Sequence, residues 1–131
     1  MKRLLYALLA IAAFTGCSKD HDNTSTPSKE CMADKLQLTY ASTDDVPSLH
    51  TVIITFDVKN TGSKKYDVGA GSTAVYVKLE ATTTNGKTYS GDDILTVTSL
   101  DAGATASASA IVDYGAGNAY KSYKVVEVYC K

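Results

Sequence analysis

Between His50 and Lys59 the chain alternates. Val52, Ile54, Phe56 and Val58 fall on one side and Thr51, Thr55 and Asp57 on the other, with Ile53 the exception. A period of two is the pattern of a strand with one buried face. No segment after residue 17 repeats its apolar residues at helical spacing over a useful length. The core must therefore be assembled from sheet faces.

Other segments repeat the pattern. Lys35 to Ala41 sets Leu36, Leu38 and Tyr40 against Lys35, Gln37 and Thr39. Ala74 to Thr83 places Val75, Val77, Leu79 and Ala81 inward and Tyr76, Lys78 and Glu80 outward. Thr105 to Asp113 alternates small residues with Thr and Ser, and its Ala-rich face suits tight packing under a neighbour. Tyr120 to Cys130 reads as the last strand, and Lys64–Val68, Lys87–Ser90 and Ile94–Ser99 as short ones. Lysines in the first of these short strands discourage strand addition. Turns are marked at Asn60-Thr61-Gly62, Asn85-Gly86, Leu100–Gly103 and Gly115–Asn118. Gly or Asn supplies positive φ there, and Asn-Gly is a strong hairpin signal. Ser42–Ser48 and Gly69–Ser72 read as loops, and Gly91-Asp92-Asp93 as a break. Seven to eight short strands at turn-marked intervals predict an all-β fold, an antiparallel β-sandwich, over residues 31–131.

The N-terminus has a different character. Met1-Lys2-Arg3 is basic, Leu4–Phe14 is an uncharged apolar run, and Gly16 precedes Cys17. This is the layout of a secretory signal peptide over residues 1–16, and its apolar run is shorter than the roughly 20 residues that span a bilayer. The small residue followed by Cys17 resembles the lipobox of bacterial lipoproteins, although Phe14 stands where Leu is usual. That resemblance implies cleavage before Cys17 and its lipidation, which would fix the chain to a membrane. The alternative is an ordinary signal peptide with a cysteine nearby. Ser18-Lys19-Asp20-His21-Asp22 resembles the surface-export signal of Bacteroidota lipoproteins, which implies an outer-membrane protein displayed at the cell surface. A periplasm-facing anchor is the other orientation. Residues 17–30 are polar, carry Pro27 and have no large apolar residue, so they read as a tether.

A second resemblance lies in the body of the chain. A hydrophobic strand into Asn-Thr-Gly (Val52–Gly62), a strand into Asn-Gly, and a late Leu-x-x-Gly turn (Leu100–Gly103) resemble immunoglobulin-like domains of the FxLYD type. It covers Val52 to Asp113. The motif that names the family is replaced by Val75-Tyr76-Val77-Lys78-Leu79. The resemblance implies an immunoglobulin-like sandwich and carries over no site.

With Cys17 assigned to lipid, Cys31 and Cys130 remain, one at each end of the folded region. An exported compartment permits a disulfide between them; two unpaired cysteines are the alternative. The chain carries a net charge of −1, and removing the prefix with Lys2 and Arg3 leaves −3. With no basic run, nucleic acid is not an expected partner.

Catalytic chemistry finds little footing. After Cys17 the only histidines are His21 in the tether and His50 at a strand start, and no Gly-x-Ser-x-Gly elbow occurs. The Gly69–Ser72 run lacks the lysine and helix of a phosphate loop. Asp44-Asp45 and Asp92-Asp93 are loop carboxylate pairs; calcium accepts such groups, although no EF-hand spacing is present. No catalytic residue, metal or cofactor is assigned. Eight of the nine tyrosines follow Cys17, and Tyr114, Tyr120 and Tyr123 cluster around one loop. Tyrosine joins rigid apolar area to a polar tip, so these three are the candidate contacts for a protein or glycan ligand. The expected function is a membrane-anchored, non-catalytic binding or accessory module. The alternative is an envelope inhibitor that blocks a partner enzyme with its loops.

Overall fold

The computed structural model describes residues 28–131. The segment expected to be a signal peptide, Cys17, and the segment expected to be a tether up to residue 27 lie outside the described residues. After a 3₁₀ turn at Ala33–Lys35 come eight strands: β1 (Leu36–Val46), β2 (Thr51–Asn60), β3 (Tyr66–Asp67), β4 (Val75–Thr83), β5 (Thr88–Ile94), β6 (Ser99–Leu100), β7 (Thr105–Asp113) and β8 (Tyr120–Cys130). One sheet has the order β1-β2-β7, the other β5-β4-β8, and β3 pairs with β6. All strand pairs are antiparallel. The fold is an all-β antiparallel sandwich, as the alternation predicts. Among the described residues no helix is long and apolar enough to cross a membrane.

The core follows the sequence pattern. Val52, Ile54, Phe56 and Val58 of β2 are buried, as are Val75, Val77, Leu79 and Ala81 of β4. The alanines of β7 stand beside the bulkiest residues of β2: Ala110 opposite Ile54 and Ala108 opposite Phe56. This small-residue strand lets β5 approach, and a Cβ on Gly91 would sit 3.5 Å from Val112 Cγ2.

Three expectations are corrected. β1 runs on through Asp44-Asp45 to Val46 where a loop was expected, because the chain resumes pairing after a bulge at Ala41. β5 likewise runs through Gly91-Asp92-Asp93 to Ile94, paired with β4 throughout. The strand expected over Ile94–Ser99 is instead an irregular passage that buries Leu95 and Val97, with only Ser99–Leu100 forming β6. The fold also starts slightly early: Glu30 exchanges backbone hydrogen bonds with Gly71 and Thr73.

Two fasteners lie outside the ladders. Cys31 and Cys130 form a disulfide with Cα atoms 5.8 Å apart, spanning 99 positions. Asn60 is fully buried at the end of β2. Its Nδ2 donates to the Lys64 and Leu100 carbonyls at 2.8 and 3.0 Å, and its Oδ1 accepts from Gly62 N at 2.9 Å. One side chain thus pins β2 to the crossover and to β6.

Two stability changes follow. Reduction should lower the unfolding free energy by up to about 4.7 kcal/mol in the loop-entropy limit, seen as a lower urea midpoint; an unchanged midpoint would remove the staple. Asn60→Ala strands buried carbonyls and should cost about 2–3 kcal/mol by chemical denaturation, against near-neutral effects for Thr84→Ala on the exposed hairpin.

Candidate functional site

The two sheets present four edge strands, and these meet in two seams. At the first seam β7 faces β5. Asp93 Oδ2 accepts from Ile111 N at 2.7 Å and Thr96 Oγ1 from Ser109 N at 3.1 Å. Side-chain acceptors thereby satisfy two N–H groups on the outer edge of β7.

The second seam lies between β1 and β8. The Cys31–Cys130 bond joins the segment that leads through the 3₁₀ turn into β1 to the end of β8, while Tyr40 meets Tyr123 further along. The two strands therefore run antiparallel face to face, without a hydrogen-bonded ladder between them. Between them is a groove of about 510 Å³, within the roughly 300–1,000 Å³ of ligand sites. Leu36, Leu38 and Tyr40 form one wall, Tyr123, Val125 and Val128 the other, and Phe56 also lines it. Tyr40 and Val125 are 55% and 40% exposed, so the wall is apolar surface open to water.

The tyrosines singled out from sequence separate. Tyr114 is buried; its hydroxyl donates to Asp45 at 2.8 Å and its N–H to the His50 carbonyl. It serves as a structural pin. Tyr120 is half-buried, its ring tilted against Tyr114 with centroids 6.1 Å apart. Tyr123 alone of the three lines the groove, with its ring 6.0 Å from Tyr40 and 6.3 Å, edge-on, from Phe56. Sequence reasoning missed Tyr40 as a groove residue, although its place on an alternating apolar face was visible.

The other candidates have structural partners or none. Asp93 spends both carboxylate oxygens on Ile94 N and Ile111 N, and Asp45 holds Tyr114. Among the described residues no three His, Cys, Asp or Glu side chains gather as a metal site. His50 adopts φ 56° in the β1–β2 turn, and its ring makes no hydrogen bond among the described residues. The outer face near the end of β8 has an aromatic pair, Tyr76 and Tyr129, 6.0 Å apart. Lys131 lies over it, its ammonium 4.7 Å from the Tyr76 ring, so this platform is covered from within the chain.

At the opposite end from the disulfide, the β1–β2, β4–β5 and β7–β8 connections come together. Asn118 fastens two of them. Its Nδ2 donates to Tyr89 Oη at 2.9 Å and to the Tyr114, Gly115 and Ala116 carbonyls, and its Oδ1 accepts from Asn85 Nδ2. Leu49 at the β1–β2 turn is 66% exposed.

Comparison with protein-family models, curated proteins and solved structures finds no match to this chain.

Burial raises the pKa of Tyr66, Tyr114, Tyr120 and Tyr123; for Tyr114 the neighbouring Asp45 adds to it, and for Tyr123 the nearby Tyr40. A group whose folded pKa lies above its unfolded value stabilises the fold fully below the latter, about 10 for tyrosine. That stability is lost as pH rises through the folded values. Stability should therefore fall above about pH 10, with tyrosinate absorbance appearing in step with loss of the β-sheet signal. Ionisation of all tyrosines at their ordinary value in the folded protein would contradict this.

Proposed function

We propose that this chain is a lipid-anchored, non-catalytic binding module of the cell envelope, held at the outer membrane through Cys17, displayed at the surface, and taking its ligand in the β1–β8 groove. The observation that carries the reading is the groove itself. A small sandwich that covers two N–H groups of one seam with Asp93 and Thr96 leaves the other open and lined with Leu, Val, Phe and Tyr beside Lys124. Exposed apolar surface gathered in one concave place marks an interaction site more often than scattered exposed residues do. The fold supports a rigid receptor, since both walls belong to eleven-residue strands and the disulfide clamps one end. The polar run between Cys17 and Cys31 gives such a module reach from the membrane, on the order of 20 Å for a flexible chain of that length.

An inhibitor is the second reading. Three connections meeting at one end, with Leu49 at the tip, favour it. The groove is preferred because Asn118 binds the loops to one another, so that most of that end is spent on internal contacts.

Two measurements in intact cells test the proposal. Cys17→Ser should abolish acyl labelling and release the protein from membranes; unchanged retention removes the anchor. A photo-crosslinking residue in place of Tyr40 should capture a ligand that the same residue at Thr88 or Leu49 does not. Capture at Leu49 alone transfers the activity to the loops, and no capture at Tyr40 removes the groove.

A further inference from the structure

The backbone along the groove says what chemistry fits it. Asn60 N donates to the Ala104 carbonyl and Thr61 N to the Lys35 carbonyl. Even-numbered residues of β2 therefore turn their backbone groups toward β7 and odd-numbered ones toward β1. In the β1–β2 register, Gln37 stands opposite Lys59 and Thr39 opposite Asp57, so these are the hydrogen-bonded pairs. The C=O of Leu36 and the N–H and C=O of Leu38 and Tyr40 consequently point into the seam, while Leu36 N–H is satisfied by Ala33. None of these five-residue-edge groups has a partner among the described residues.

We propose that the groove takes an extended segment of a partner protein, added as an antiparallel strand to β1 over Leu36–Tyr40, with every second side chain of the segment entering the groove. This rests on the groove being the binding site. A strand so added sits about 4.8 Å from β1 in the plane of its sheet. Its residues opposite Leu36, Leu38 and Tyr40 lie on the inner face, the side on which Tyr123 and Val128 form the other wall of the groove. Main-chain bonds supply affinity in this mode and alternate side-chain pockets supply specificity.

The choice of edge and occupant is also written in the structure. β8 is broken twice, by bulges at Lys121 and Val126, which interrupt any regular ladder along it. β1 is regular from Leu36 to Tyr40 and bulges only at Ala41. An acyl chain would fill the groove but leave the Leu38 and Tyr40 backbone groups desolvated and unpaired, a cost borne by each group. A second copy would have to bring a whole sheet past the bulged β8, whereas a single extended segment need not.

The probe is the blocked peptide Ac-Asp-Val-Thr-Val-Thr-Val-NH₂, added to the full chain, with amide hydrogen exchange read by NMR. The Leu38 and Tyr40 amides should exchange fast alone and slow with peptide. N-methylation of the Val amides, which face β1, should abolish the protection, whereas N-methylation of the Thr amides should leave it. Several results would overturn strand addition: no slowing with peptide, equal binding of the Val-methylated peptide, protection by palmitate in its place, or protection that grows with protein concentration alone. Palmitate binding would keep the groove as a receptor while removing the strand. Failure of both probes together with no crosslink at Tyr40 would remove both.

Discussion

Unpaired strand edges are the constraint around which this molecule is arranged. Each edge presents a row of N–H and C=O groups that must find partners, meet water or be covered. Two three-stranded sheets create four such edges. The fold treats the β5–β7 seam chemically, letting Asp93 and Thr96 replace a neighbouring strand as acceptors. It treats the β1–β8 seam mechanically, with a disulfide at one end and the Tyr40–Tyr123 contact within. The first solution occupies two N–H groups of the β7 edge. The second leaves its edge available.

The same contrast explains which parts of the fold were legible. Alternation located the inward faces of β2 and β4 because buried positions there are large, apolar and regularly spaced. It misjudged Asp44-Asp45 and Gly91-Asp92-Asp93, where acids and glycine look like chain breaks. Those acids sit on edge strands, whose exposed faces and margins tolerate charge, and Asp93 is there as an acceptor for a strand that sequence does not show to be near. Asn60 was read as a turn residue. Its role as a buried hub depends on Leu100, which lies 40 positions away.

The groove was illegible for a related reason. Its walls come from opposite ends of the chain, Leu36–Tyr40 and Tyr123–Val128, and its defining property is a pairing not made. Periodicity reports what a strand buries; it does not report which neighbour is missing. Of the tyrosine cluster Tyr123 lines the groove, but composition could not separate it from Tyr114, which is committed to Asp45. The cysteine pattern was more informative than any strand, because two cysteines at the ends of the folded region make a statement about distance that alternation cannot.

That disulfide links the anchor to the groove in the proposed reading. Cys31 follows the polar run directly, and Cys130 lies two residues beyond Val128 in the groove wall. The chain thus enters the domain at the same end of the seam where β8 finishes. Tension or drag passed along a tether would reach a covalent cross-link before it reached the β1 edge. Glu30 adds a second restraint there, through its bonds to Gly71 and Thr73 and its ion pair with Lys64 at 2.8 Å. A surface-tethered receptor needs this separation, since its binding edge must keep its register while its anchor moves. Placing the staple between tether and groove provides it. The outer edge of β1 can then stay regular over Leu36–Tyr40 with β2 as its one ladder partner.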